Sequence, residues 1–403
     1  MLAMGLLDRF FGSPRDRFAA EALRIARRAP GIVRAAYDAE KFAVAAWRDG
    51  SGSPVWIYLA NVFAETQDAR PADRAARLTQ LVRIILTPHD DEGWDEVRTR
   101  LRPVLRPDTF GQAGPMGMVP PLSRTALPHL RELVVVDRPE SMAYVTPPRL
   151  EEWGVSADDV FAAARQNLAE LAEQSLRQHW PDGNAMVRMV DSGDGYFTSL
   201  LLAPGWLAGV SERMGEPVVA FVPDVNTVLL CPADGGAATA LHTIVESEFS
   251  EAARSISPVG YIAGDGGRVV PYAPPAGHPA HPAAQRARVL LTVTQYRSQT
   301  EWLSAQYAEH GIDVYVGGLL AAAAADEPPF TVASWGDGIE SLLPEADFIA
   351  FAGPDGVWGR VPWDAVARLV PLTPEPLLTP ARYRVGGWPA PDVMQQLRAY
   401  AVD

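Results

Sequence analysis

One unit recurs along this chain: two alternating apolar stretches joined by turn residues, then a segment with helical spacing. LVVVDRPESMAYV runs into PRLEEWGVSADDVFAAARQNL, and NAMVRMVDSGDGYFTSLLL runs into GWLAGVSERMG. VVAFVPDVNTVLLC leads to GAATALHTIVESEFSEAAR, and DFIAFAGPDGVWGRV leads to PWDAVARLV. Period-two alternation broken at RPES, SGDG, PDVN and GPDG is a hairpin signal. Hairpins followed by helices favour mainly antiparallel sheets covered on a face by helices, so the fold class is α+β.

What precedes residue 129 reads as mainly helical. SPRDRFAAEALRIARRAPG opens on Ser13-Pro14 and closes at Pro30-Gly31, as a capped helix should. VWIYLANVFAETQ and PADRAARLTQLVRIIL carry apolar residues at three-and-four spacing, which predicts two further helices. TPHDDEGWDEVRTRLRP predicts another, with acids in its first turn. The densest proline and alanine run, PYAPPAGHPAHPAAQRA, predicts an extended linker. The expected division is therefore 1–128 helical, 129–272 central α+β, 273–287 linker, and 288–403 a separate C-terminal domain. That last part opens with RVLLTVTQY, SQTEWLSAQYAEHG and DVYVGGLL, which predict a β-α-β crossover and one parallel strand pair.

Charge and residue usage remove several chemistries. With 35 basic and 49 acidic residues the net charge is −14, which argues against nucleic acid as a partner. Lys41 is the sole lysine and falls in a predicted hairpin turn, so lysine-based covalent catalysis is not expected. Cys231 is the sole cysteine, which leaves no intramolecular disulfide and no cysteine metal cluster. No apolar run approaches the roughly 18 residues a membrane helix needs. Leu2–Phe11 carries apolar residues at helical spacing, so peripheral membrane contact is the remaining membrane option. The expected location is cytoplasmic.

Motifs for phosphate loops, dinucleotides, zinc hydrolases and serine hydrolases do not occur. His89, Asp90, Asp91, Glu92, Asp95 and Glu96 cluster, but acids at a helix start already have a reason in the helix dipole. His278 and His281 fall in the expected linker, which supplies no supporting shell for a metal. DSGDGYF fails as a calcium loop, with Gly193 in a ligand position and Leu202 where the final glutamate belongs. His179 and His242 lie on predicted helices, and His242 suits a hydrogen-bonded core or boundary position. No cofactor or metal is expected.

WGVS, residues 153–156, reads as a joint: Thr146 and Pro147 start one turn, Gly154 ends it, and Ser156 with Asp159 caps the next helix. The tryptophans at 335, 358, 363 and 388 suit a core, as large apolar groups, ahead of a partner surface. Asp137, Tyr144, Asp194 and Tyr196 are the nominated site residues. They stand at hairpin ends, where carboxylates and phenols that converge would transfer protons or bind a polar ligand.

SMAYVTPPRLEEWGVSADDVFAAARQNL, DGYFTSLLL, PVVAFVPDVNTVLLCPAD and SPVGYIAGDGGRVVPY, taken in order, resemble the YtpQ-like family of bacterial proteins of unknown function. The resemblance covers most of residues 15–272, including IYLANVFAETQ and LRPVLRPDTF, and leaves 288–403 unmatched. It implies an α+β protein and supplies no catalytic residues. The functional expectation is a non-catalytic binding or regulatory component with a protein or small-ligand partner. The alternative is an enzyme with a carboxylate and tyrosine site in the central domain.

Overall fold

The computed structural model describes residues 13–48, 54–86, 92–112, 119–138, 141–180, 186–191, 196–234, 236–323, 328–354 and 356–402. They fall into two compact units, Met1–Gly93 with Arg138–Met142, and Trp94–Asp137 with Ala143–Asp403. The class is α+β, with several antiparallel sheets and helices packed on them. Among the described residues no helix is long and apolar enough to cross a membrane.

The first unit begins with α1 (Pro14–Ala26), which starts at Ser13-Pro14 as expected and opens on a capping box: Ser13 Oγ accepts the Asp16 amide and the Asp16 carboxylate takes the Ser13 amide. Next comes an antiparallel sheet of β1 (Ile32–Asp38), β2 (Ala43–Arg48) and β3 (Val55–Tyr58). Lys41 sits at the β1–β2 turn, 3.0 Å from Asp38. Helices α2 (Ala60–Glu65) and α3 (Pro71–Leu86) complete the unit. VWIYLANVFAETQ is therefore not one helix. Val55–Tyr58 completes the sheet, with Ile57 buried, and only the following residues coil, placing Phe63 edge-on against Phe18 and Phe42.

The second unit starts with the single turn α4 (Trp94–Val97), because LRP, expected to end a helix, instead opens β4 (Leu101–Pro107). β4 pairs with β6 (Leu130–Arg138), which is flanked by β5 (Ser123–Leu127) and β7 (Ser141–Tyr144). Val134 and Val136 face one core, while Leu133 and Val135 face another, the period-two division of a strand covered on both faces.

The WGVS joint has the expected geometry. Thr146 precedes α5 (Pro147–Trp153), although its side chain makes no capping bond, and Gly154 is left-handed at φ 67°. Ser156 and Asp159 form the capping box of α6 (Ala157–Leu176), and Trp153 and Val155 pack on the Val160–Phe161 core. The larger departure in this part of the chain is NAMVRMVDSGDGYFTSLLL. It supplies β8 (Val187–Val190), but Phe197–Leu202 is a 3₁₀ turn whose leucines are all buried. After it come α7 (Trp206–Met214), β9 (Val218–Asp224), β10 (Thr227–Pro232), α8 (Gly236–Glu251), β11 (Ser255–Ala263) and β12 (Val269–Pro271). Their sheet runs β12-β11-β9-β10-β8 and is antiparallel throughout.

The largest correction concerns the expected linker. Tyr272, Pro274 and Ala280 are buried, and a continuous helix α9 (His281–His310) begins within the proline-rich run. RVLLTVTQY belongs to this helix and is not a strand. Its middle is buried on nearly every side: Ala287 and Leu291 enter the core of the five-stranded sheet, whereas Val289, Val293 and Tyr296 enter the C-terminal core. A helix apolar all round loses the one-sided pattern by which helices are recognised, and its valines and threonines then imitate a strand.

Beyond α9 lie β13 (Tyr315–Val316), β14 (Leu319–Ala322), β15 (Phe330–Gly336), β16 (Ser341–Pro344), β17 (Phe348–Gly353), β18 (Gly356–Pro362), α10 (Trp363–Leu369), β19 (Arg382–Val385) and α11 (Pro391–Arg398). Parallel pairing occurs here, at β13–β16 and β15–β17, without a strand from RVLLTVTQY. Trp335, Trp358 and Trp388 gather around Phe351 in this core.

Candidate functional site

The connection between β5 and β6 is two residues, Pro128 and His129, with Leu127 opposite Leu130. His129 has φ +61°. Proline first and positive φ second is the arrangement of a type II turn, where glycine or asparagine is the usual second residue. A branched-ring side chain held there costs on the order of 1 kcal/mol or more. That strain is offset by what the imidazole touches. Its Nε2 lies 3.1 Å from Thr292 Oγ1 on α9. The threonine hydroxyl already donates to the Arg288 carbonyl at 2.9 Å, so toward the imidazole it accepts, and Nε2 carries the hydrogen.

On its other side the ring faces a carboxylate. His129 Nδ1 stands 3.7 Å from Asp108 Oδ2, beyond hydrogen-bond reach. Asp108 is 5% exposed, and both its Oδ1 and His129 Nδ1 are buried with no hydrogen-bond partner. The loop that carries Asp108 is fixed by its amide on the His129 carbonyl and by Thr109, whose amide and hydroxyl both donate to Gln295 Oε1. Acid, imidazole and hydroxyl stand in line, but the hydroxyl is spent on a backbone carbonyl, which disqualifies Thr292 as an activated nucleophile.

His129 forms part of the wall of a cavity of about 160 Å³. Val259 and Tyr261 of β11, Tyr272, Pro274 and Leu291 supply apolar surface, and His281, Gln285 and Arg288 line the α9 side. His281 Nδ1 meets the Pro274 carbonyl at 2.8 Å, so Nδ1 bears the hydrogen and Nε2 is left as an acceptor. Gln285 Oε1 accepts from Arg288 Nε at 3.0 Å, and Arg288 Nη2 donates to Asp347 at 3.1 Å. Burial acts to raise the Asp347 carboxyl, but Arg288 and the amide and hydroxyl of Thr331 outweigh it and hold it below its ordinary value. Burial pushes the Tyr261 and Tyr272 phenols up, so both are neutral walls at ordinary pH.

The described nominees, Asp137, Tyr144 and Tyr196, lie elsewhere in the second unit. Tyr196 Oη donates to Asp137 Oδ1 at 2.6 Å, and Tyr144 packs in the same small apolar cluster as Tyr196. Tyr144 Oη accepts from Arg106 Nε at 2.9 Å, and the guanidinium lies over the rings of Phe110 and Tyr144. Asp194 lies outside the described residues, as do Leu2–Phe11, His89, Asp90 and Asp91. Three of the four nominees thus come together, with the Tyr196 phenol engaged and its ionisation driven up by burial and by Asp137. Such a phenol is a poor proton donor near neutrality.

Sequence reasoning passed over His129, Asp108, Thr292 and Arg288. The available signal was Pro128-His129 between two strand-like runs, where a glycine or asparagine belongs. It also passed over the fully buried Glu132, held by Arg124 and by both forks of Arg165 at 2.6–2.7 Å. His242 is buried as expected, yet neither ring nitrogen has a hydrogen-bond partner. The ring instead lies edge-on to Phe221, with centroids 4.9 Å apart. His278 and His281, assigned to a linker, are both ordered by backbone contacts. Against known proteins, the chain matches no family model, no curated protein and no solved structure.

Proposed function

We propose that this chain is a cytoplasmic bacterial binding or regulatory component, related to the YtpQ-like proteins, and that it works by seating a small ligand in the cavity beside His129. The observation that carries this reading is the left-handed His129 at a turn that would form more easily with glycine. Strain retained at a cavity wall, next to a buried carboxylate with one oxygen lacking a hydrogen bond among the described residues, marks a place where side-chain identity serves more than folding. The cavity volume supports a ring-sized ligand, since an apolar cavity of about 150 Å³ holds benzene. The enzyme alternative draws no support from the Tyr196–Asp137 pair, whose phenol is buried and committed.

The test is native mass spectrometry of the tagged full-length protein from its own host, beside an Ala284→Phe variant that fills the cavity from α9. A small molecule retained by the wild type and absent from the variant supports the reading. Equal retention by both proteins moves the ligand to another place and overturns the assignment of this cavity.

A further inference from the structure

The polar side of the cavity has unequal hydrogen-bonding capacity, and the imbalance defines what would complete it. Arg288 uses Nε on Gln285 and Nη2 on Asp347, and its Nη1 makes no hydrogen bond among the described residues. Gln285 uses its carbonyl oxygen on Arg288, and its amide nitrogen donates to nothing among the described residues. These two donors belong to residues three positions apart on α9, a spacing that puts side chains on one helix face. Arg288 is 45% exposed at its side chain, so the donors stand where the cavity meets solvent. His281, a further turn toward the helix start, offers an acceptor, Nε2. Tyr261, Tyr272 and Leu291 form the apolar remainder.

We propose that the cavity binds a compact apolar monocarboxylate, with the carboxylate on Arg288 Nη1 and the Gln285 amide and the hydrocarbon body against Tyr261, Tyr272 and Leu291. This rests on the reading of the cavity as the binding site and adds the ligand's chemical class. A guanidinium nitrogen and an amide donor from one helix face suit the two oxygens of a carboxylate, and such charge-assisted bonds are the stronger kind. The ion pair with Asp347 orients Arg288 from behind and leaves Nη1 available, so no existing bond has to break. A hydroxyl next to the carboxylate would donate to His281 Nε2, so a hydroxy acid binds more tightly than its parent. Volume limits the body to about one ring.

Calorimetric titration of the full chain with benzoate, 2-hydroxybenzoate, benzylamine and toluene tests this. Expected are binding of both acids, with 2-hydroxybenzoate the tighter, and benzylamine weaker by about tenfold or more. Arg288→Met should weaken both acids by about tenfold and leave toluene unchanged. Gln285→Leu serves as the second variant, because it removes one donor and keeps the Arg288–Asp347 pair. Benzylamine binding as tightly as benzoate, or acids indifferent to both substitutions, overturns the carboxylate assignment while toluene binding keeps the cavity as a ligand site. Failure of all four probes, toluene included, overturns the assignment together with the cavity reading on which it rests.

Discussion

Tyr196 donates to Asp137 through a 2.6 Å hydrogen bond from a backbone held at φ +49°. The phenol is buried against Val104, Leu133 and Val135, and the carboxylate at the end of β6 is partly exposed. This contact anchors the 3₁₀ turn Phe197–Leu202 to the β4-β6-β5 sheet. Tyr196→Phe keeps the packing and removes the bond, and is expected to lower stability by about 1–2 kcal/mol, read from the denaturant midpoint.

His129→Asn separates turn from function. Asparagine tolerates the left-handed conformation that His129 occupies at φ +61°, but it loses the contact with Thr292. Stability should stay within about 1 kcal/mol of wild type, while ligand retention falls. A large loss of stability would instead make His129 a structural residue.

Acid should weaken the fold through His242. Burial, with a smaller contribution from Arg286, pushes its imidazole down from 6.5 to about 4. Between those values the unfolded chain takes a proton that the folded chain refuses, so stability is full above pH 6.5 and declines as pH falls toward 4. The decline attributable to this residue is at most about 3 kcal/mol. In His242→Leu, which suits the apolar face against Phe221, the slope of stability over this range should flatten. An unchanged slope would remove His242 as its source.

At the alkaline end the buried phenols act in the opposite sense. Burial raises Tyr196, Tyr261 and Tyr296, the first also through its bond to Asp137, so all three stay protonated in the fold beyond the ordinary value of 10. Their contribution is intact below pH 10 and is lost as pH rises past it, because the unfolded chain ionises first. Ultraviolet titration should show at least 3 of the 11 tyrosines appearing as phenolate only together with unfolding.

Arg382 is completely buried and is satisfied by neutral oxygens: Gln299 Oε1, Thr300 Oγ1 and the carbonyls of Tyr296, Gly317 and Leu342. Burial pushes the guanidinium down to about 10, so it is still charged at neutrality. Lysine cannot reproduce the fork, and Arg382→Lys should lower the unfolding free energy by about 2–4 kcal/mol.

The hairpins and caps were legible because their causes are local. Gly154, Ser156 with Asp159, and the PDVN turn between β9 and β10 each act within a few residues. What was hidden depends on partners far along the chain. Thr292 and His129 are 163 positions apart, and Arg382 and Gln299 are 83 apart, so no window of sequence holds both members. The site is hidden for the same reason as α9: the sequence reads 288–296 as a strand that follows a linker, which detaches Arg288 and Thr292 from the helix that also carries His281 and Gln285.

The double burial of α9 also bears on how the second unit comes apart. Loss of the C-terminal sheets would strip Val289, Val293 and Tyr296 of their neighbours and loosen the helix that seats Ala287 and Leu291 on the other side. Neither core can therefore melt alone without taking part of the other with it. Calorimetry of the full chain should show both cores in one shared heat-absorption peak. Cleavage in the proline-rich run would yield two fragments of an interrupted cooperative block, each short of the surface it needs to stand alone.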